Sequence, residues 1–95
     1  MAWRSEISRR ARELRILFCQ TSPGSETTRD YILKNYKQLK TLNPTLPILL
    51  RECSGIQPRL WIRYPYGVEQ SATLDGLSVE QIDAKLEELV KDAPE

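Results

Sequence analysis

The chain has 95 residues, 40% of them hydrophobic and 28% charged, and its net charge is +1, which is typical of one small globular domain. Because it contains two cysteines and no histidine, it lacks both the ligands of a usual four-coordinate Cys/His zinc site and a histidine base for a Ser or Cys nucleophile. No apolar run approaches the roughly 18 residues of a membrane span, so we expect no metal site and no direct membrane span.

Residues 1–12 (MAWRSEISRRAR) form a basic N-terminal segment, which we set apart from the domain predicted over 13–95. Trp3, Ile7 and Ala11 recur at helical spacing, which favours a short amphipathic helix. The arginine and serine content is also typical of a mitochondrial targeting segment, and a terminus ordered only by a partner fits the same residues. Trp3 and Arg4 are candidate docking residues, because a large aromatic side chain among cations suits an interface better than open solvent.

A strand, a helix and a second strand are predicted next. The apolar run 14–19 (LRILFC) is typical of a buried strand. Ser22-Pro23 predicts an N-cap and the first turn of a helix that runs through Leu39 and ends before Asn43-Pro44. The run 47–52 (PILLRE) predicts another interior strand. A right-handed crossover would make the two strands parallel.

A hairpin and a final helix complete the pattern. The segment 59–64 (RLWIRY) alternates like a strand, the turn 64–67 (YPYG) follows, and 68–73 returns as an edge strand. Ser78 and Gln81 form a capping box that begins the last helix. The element order predicts an α/β fold with a four-stranded mixed sheet and two main helices, which is the thioredoxin-like arrangement.

Charge is distributed unevenly along the chain. Residues 74–95 contain seven acidic residues and two lysines, so the basic excess lies in the rest of the chain. This split suits a protein that docks between oppositely charged neighbours, and solvated helix faces produce the same split.

Three segments carry a resemblance to a known family. They are 19–25 (CQTSPGS), 43–49 (NPTLPIL) and above all 51–58 (RECSGIQP), which is followed by Leu60-Trp61 and Arg63-Tyr64. Through these motifs, residues 14–89 resemble the family of alpha subcomplex subunit two of mitochondrial respiratory complex I. That family shares a thioredoxin-like domain with certain mitochondrial ribosomal proteins.

The resemblance implies a non-catalytic accessory subunit that supports assembly and stability of the peripheral arm of complex I, near the NADH-oxidising module. It would lie on the matrix side of the mitochondrial inner membrane. Its partners would be other complex I subunits, above all the large iron–sulfur subunit, and it would have no cofactor of its own and no nucleic-acid partner. A ribosomal role is the competitor within the family, but this chain lacks the basic excess that RNA binding favours.

The resemblance also implies that Cys19 and Cys53 can form a disulfide. If the first two strands are adjacent and parallel, the cysteines that follow them lie about 5 Å apart, within reach of a bond. A reducing matrix disfavours structural disulfides, so two buried thiols and a reversible thiol switch are alternatives.

Cys19 also suggests an alternative function, that of a monothiol glutaredoxin-like or thiol redox-sensing protein. Residues 19–22 (CQTS) have serine where a second thiol would resolve a mixed disulfide, and Ser22-Pro23 starts the helix about three residues beyond the thiol, where the helix dipole has less effect. We therefore expect no catalytic residue. Pro58 is a candidate cis-proline, because active thioredoxin-like enzymes have one directly before the third strand.

The remaining candidates for docking lie on and after the third predicted strand. They are Trp61, Arg63, Tyr64 and Tyr66, since aromatic residues and arginine are enriched at interface hot spots. The alternative for Trp61 is packing beneath a helix.

Overall fold

The computed structural model describes residues 2–93. Its strands are β1 (Glu13–Phe18), β2 (Ile48–Glu52), β3 (Arg59–Arg63) and β4 (Glu69–Thr73). Its helices are α1 (Ala2–Ser5), α2 (Ile7–Arg10), α3 (Glu26–Leu42) and α4 (Val79–Lys91). Short 3₁₀ turns lie at Pro23–Ser25 and Pro65–Gly67.

The strands form one mixed sheet in the order β2-β1-β3-β4. The β1–β2 pair is parallel, and the β1–β3 and β3–β4 pairs are antiparallel. Leu14 lies opposite Ile48 on one side and Ile62 on the other, so the three side chains share one face. The predicted α/β fold with a four-stranded mixed sheet and two main helices is confirmed.

The sheet is covered on one face. Along β1, buried residues alternate with partly exposed ones, and the buried set is Leu14, Ile16 and Phe18. These side chains belong to one core with apolar residues of α3 and α4, such as Tyr31 and Leu86. The prediction of a fully buried first strand is therefore wrong. The reason is topological, because the link from β2 to β3, residues 53–58, is short and forms no helix that would cover the other face.

Local sequence signals lie at the N-terminal starts of both main helices. Ser22 Oγ accepts a hydrogen bond from the backbone N–H of Gly24 at 3.2 Å, and Pro23 follows it at the start of the 3₁₀ turn that leads into α3. At α4, Ser78 and Gln81 form the reciprocal capping box. The predicted start of α4 is confirmed, and Ser22 forms its predicted cap, but that cap belongs to the 3₁₀ turn and α3 itself begins at Glu26.

The N-terminal segment packs into the same core as the rest of the domain. Trp3, Ile7 and Ala11 are buried there. The Asn43 side chain ties the segment to the end of α3, because it accepts from Ser8 N–H at 3.0 Å and donates to Arg4 O at 2.7 Å. The structure thus joins 2–12 to the domain that was predicted to begin at residue 13; Met1 lies outside the described residues.

None of the helices described is long and apolar enough to cross a bilayer. Among the described residues, no three Cys, Asp or Glu side chains form a group that could hold a metal ion.

Candidate functional site

Cys19 lies directly after β1, and both its backbone N–H and its carbonyl oxygen form hydrogen bonds. Its N–H donates to Ser25 Oγ at 3.0 Å, and its carbonyl oxygen accepts from the Arg29 guanidinium at 2.7 Å. Arg29 also donates to Ser22 O at 3.1 Å. With only 4% of Cys19 exposed, the residue is fixed against the start of α3.

The thiol of Cys19 lies among backbone N–H groups. Gly55 N–H donates to Cys19 Sγ at 3.4 Å, and Thr21 Oγ1 lies 3.9 Å from the sulfur. Backbone hydrogen bonds from Thr21, then Gly55 and then Ser22 stabilise the thiolate, and they lower the pKa of the Cys19 thiol to about 7 although burial opposes this. These hydrogen bonds thus favour the thiolate of Cys19 over its neutral thiol.

Residues 53–58 cross the end of β1 on their way from β2 to β3. Cys53 N–H donates to Phe18 O at 2.9 Å, and one more step of the β1–β2 register places Cys53 opposite Cys19. The loop then turns at Gly55, where φ is +75°, and donates to the Cys19 sulfur. The crossing loop, residues 53–58, is thus held against the end of β1 by its hydrogen bond to the Cys19 sulfur.

Both cysteines are free thiols in this structure, Cys19 buried and Cys53 exposed. The paired residues of β1 and β2 end at Phe18 and Glu52, and Cys19 and Cys53 are the residues that follow this pair. Their disulfide stays a prediction.

An open cleft of about 310 Å³ lies beside this thiol. It is lined by Cys19, Gln20, Thr21, Glu52 and Ser54, and Gln20 donates to the Glu52 carboxylate. The cleft thus offers one thiol, hydroxyl and amide groups and one carboxylate. Its lining has no cation that would bind the carboxylates of glutathione, and Ser22 stands where a resolving thiol would be.

The cis-proline prediction for Pro58 is wrong. No peptide bond between described residues is cis. Pro58 is buried, and its carbonyl oxygen accepts from Leu74 N–H at 2.9 Å. The loop reverses at the left-handed Gly55 and reaches β3 through a trans Gln57–Pro58 bond, the isomer that X–Pro bonds prefer.

Three of the candidate docking residues serve the domain's own packing. Trp3 and Tyr64 are buried in the core, and Tyr64 Oη donates to Leu89 O at 2.5 Å. Arg4 forms an ion pair with Asp83 at 2.5 Å, and Asp83 also accepts from Tyr31 Oη at 2.7 Å. The docking predictions for Trp3, Arg4 and Tyr64 are corrected, because these side chains join the N-terminal segment, α3 and α4 or fill the core.

The other three candidates are accessible. Tyr66 is fully exposed in the turn after β3, where its φ is 68°. Trp61 is half-buried, and the Arg15 guanidinium lies over its ring at 5.6 Å from the centroid. Arg63 is exposed and its Nε lies 3.0 Å from Glu69 Oε2. Leu60 and Ile62 are buried on the face that the helices cover. Because successive side chains of a strand point to opposite faces, Trp61 and Arg63 point away from the helices.

Trp61 and Arg63 belong to a larger surface that we call the open sheet face. It consists of the side chains on the uncovered face of the four strands: Glu13, Arg15, Leu17, Leu49, Arg51, Arg59, Trp61, Arg63, Glu69, Ser71 and Thr73. Most of these residues were not among the predicted docking candidates. Arg15 inside the first apolar run was the available signal, because a charge at an alternate position marks a strand with one exposed face.

The family model of the mitochondrial ribosomal protein L51 / S25 / CI-B8 domain matches residues 28–79. That range begins in α3 and ends at the start of α4, and it includes β2, the crossing loop and the β3–β4 hairpin.

Three relatives are each similar to more than four fifths of the chain. NADH dehydrogenase [ubiquinone] 1 alpha subcomplex subunit 2 of Arabidopsis thaliana is 60% identical over 91 residues, which cover 96% of this chain and 94% of the relative. The mouse protein of the same name is 44% identical over 79 residues, or 83% and 80% of the two chains. The NADH-ubiquinone oxidoreductase 10.5 kDa subunit of Neurospora crassa is 42% identical over 91 residues, or 96% and 97%.

Proposed function

Because the chain belongs to the family of alpha subcomplex subunit 2 of NADH dehydrogenase [ubiquinone], an accessory subunit of respiratory complex I, we propose that it works as a non-catalytic subunit of that complex in mitochondria. Its role is to support assembly and stability of the peripheral arm. The observation that carries this proposal is the 60% identity over 96% of the chain to the Arabidopsis thaliana subunit.

The proposal also specifies a location and a partner, which membership of the family does not by itself give. The subunit lies on the matrix side of the inner membrane and contacts the large iron–sulfur subunit of the peripheral arm. The absence of a spanning helix among the described residues agrees with a peripheral attachment. The accessible charged and aromatic side chains of the open sheet face suit contact with protein neighbours.

The surroundings of Cys19 support a structural role over a catalytic one. Its backbone groups are both occupied, its sulfur accepts from the crossing loop, and Ser22 replaces a second thiol. A thiol that holds a loop in this way contributes to the shape of the domain.

Native-gel fractionation of mitochondria, with mass spectrometry of this chain, tests the proposal. We expect the chain to migrate with the NADH-oxidising complex, and its deletion to reduce the amount of assembled peripheral arm. Migration as a free small protein, or with ribosomal RNA, would overturn it.

A second function, thiol redox sensing, is favoured by two observations: backbone hydrogen bonds lower the pKa of the Cys19 thiol to about 7, and the exposed Cys53 directly follows Glu52, which pairs with Phe18 on the neighbouring strand. With glutathione disulfide as oxidant, the two protein thiols would form one disulfide and release two molecules of glutathione. Incubation of the purified protein with glutathione disulfide, followed by mass spectrometry, tests this. We expect a mass loss of two hydrogens; a stable glutathione adduct on Cys53 alone would contradict the pairing.

A further inference from the structure

The uncovered face of the sheet has an ordered arrangement of residues. The register places its side chains in rows across the strands. One row reads Arg51, Leu17 and Arg59, and it lies at the end of the sheet near Cys19. The next row reads Leu49, Arg15 and Trp61. Leu17 thus lies between two arginines in the first row, and Arg15 lies between Leu49 and Trp61 in the second.

The charges in these rows differ in how they are paired. Arg15 forms ion pairs with Glu13 at 3.2 Å and Glu69 at 2.7 Å, and Arg63 also pairs with Glu69. Arg51 and Arg59 are both exposed, and no ion pair between described residues involves either of them. The charge that the face does not neutralise itself is therefore concentrated in one row, on either side of Leu17.

The spacing of that row is set by the sheet. Arg51 and Arg59 lie on the two strands that flank β1, so their backbones are about 10 Å apart across two strand spacings. Leu17, half-buried, lies between them. Two cations around an aliphatic side chain match a partner surface on which two carboxylates flank an aliphatic side chain.

We propose that the open sheet face is a docking surface for an acidic, aliphatic-centred protein surface of a neighbouring complex I subunit, with Arg51 and Arg59 binding its carboxylates on either side of Leu17. This inference rests on the proposed function. Beyond that function, it specifies that the partner binds the open sheet face and that the partner's surface is acidic with an aliphatic centre.

The charges of the face and the surroundings of its aromatic ring disfavour two other occupants. A second copy of the chain seated face to face would bring two further unpaired arginines against Arg51 and Arg59, and like charges at an interface oppose association. Sheet surfaces that bind single-stranded RNA stack bases on aromatic rings. Here Trp61 is the aromatic residue of the face, and it is half-buried under the Arg15 guanidinium.

The test uses the full chain expressed in cells that lack their own copy. One variant carries Arg51→Glu and Arg59→Glu. The matched control carries Lys34→Glu and Lys37→Glu, an equal charge change on the exposed side of α3. Incorporation into complex I is measured on native gels, and thermal unfolding of the purified variants confirms that each one folds.

We expect the Arg51/Arg59 variant to lose at least about tenfold in incorporation, because reversing charges at an interface opposes its partner's carboxylates. The Lys34/Lys37 control should match the wild type. Equal incorporation of both variants, or equal loss in both, would overturn the docking face while leaving the accessory role intact. A wild-type chain that does not enter the complex would instead refute the proposed function.

Cross-linking identifies the occupant. A photoreactive phenylalanine analogue at Thr73, in the row of Arg59, should cross-link to a complex I subunit, whereas the same analogue at Lys37 should not give that product. Cross-linking from Thr73 to RNA, or to a second copy of the chain, would overturn the proposal.

Discussion

The two faces of the sheet are built from alternate residues of the same strands, and they differ in almost every property. On the covered face Leu14, Ile16 and Ile62 are buried against the helices. On the open sheet face their neighbours Arg15 and Trp61 contact each other and remain partly exposed. We therefore expect residues on the covered face to determine stability and residues on the open sheet face to bind the partner. Substitutions at adjacent positions of one strand should then affect different properties.

The largest expected effect comes from the N-terminal segment, which packs on the covered side. Trp3 is buried, so Trp3→Ala should lower the free energy of unfolding by about 3–5 kcal/mol. Denaturant unfolding of the wild type and the variant measures this loss of unfolding free energy. Arg10→Ala, at an exposed position of α2, is the control and should change stability by less than about 0.5 kcal/mol. Equal stability of both variants would show that the segment does not belong to the core.

Ile62 and Trp61 compare the two faces directly. Ile62 has no exposed surface, so Ile62→Ala should cost about 2–5 kcal/mol of unfolding free energy. Trp61→Ala removes a half-buried ring and its contact with Arg15, and it should cost less, about 1 kcal/mol. The same denaturant series measures both. A loss for Trp61→Ala as large as that for Ile62→Ala would mean that the open face is packed in solution.

A smaller effect is expected at the start of α4, which covers the sheet. Ser78→Ala removes the cap on Gln81 N–H and should cost about 1 kcal/mol. Thermal unfolding is the measurement, and Ser54→Ala in the exposed crossing loop is the matched control. Unchanged stability in Ser78→Ala would show that water replaces the capping hydrogen bond at no cost.

The smallest effect concerns Cys19, at the end of the sheet where the crossing loop passes. In a Cys53→Ser background, the ultraviolet absorbance of the thiolate should titrate with a midpoint of about 7. Because this pKa is lower than that of an unfolded thiol, about 8.5, the contribution to stability is present above the unfolded pKa and is lost as pH falls through about 7. A midpoint near 8.5 would show that the backbone N–H groups do not stabilise the thiolate.

Much of the fold could be predicted because its signals are local. The cap at Ser22, the capping box at Ser78 and the alternation along β3 each depend on a few neighbouring residues, and each is confirmed. The docking candidates were less accurate. Trp3 and Tyr64 were chosen for residue type, but type alone does not distinguish an aromatic side chain at an interface from one in the core.

The sequence by itself determined the element order, the helix caps and the family, because periodicity, capping and motif identity are properties of short stretches of chain. The tertiary structure decided that one face of the sheet stays uncovered, since the short link at residues 53–58 forms no helix that would cover it. It also decided that Arg51 and Arg59 flank Leu17 across three strands, and that Cys19 supports the crossing loop. Those pairings join residues far apart in the chain, so only the strand register brings them together.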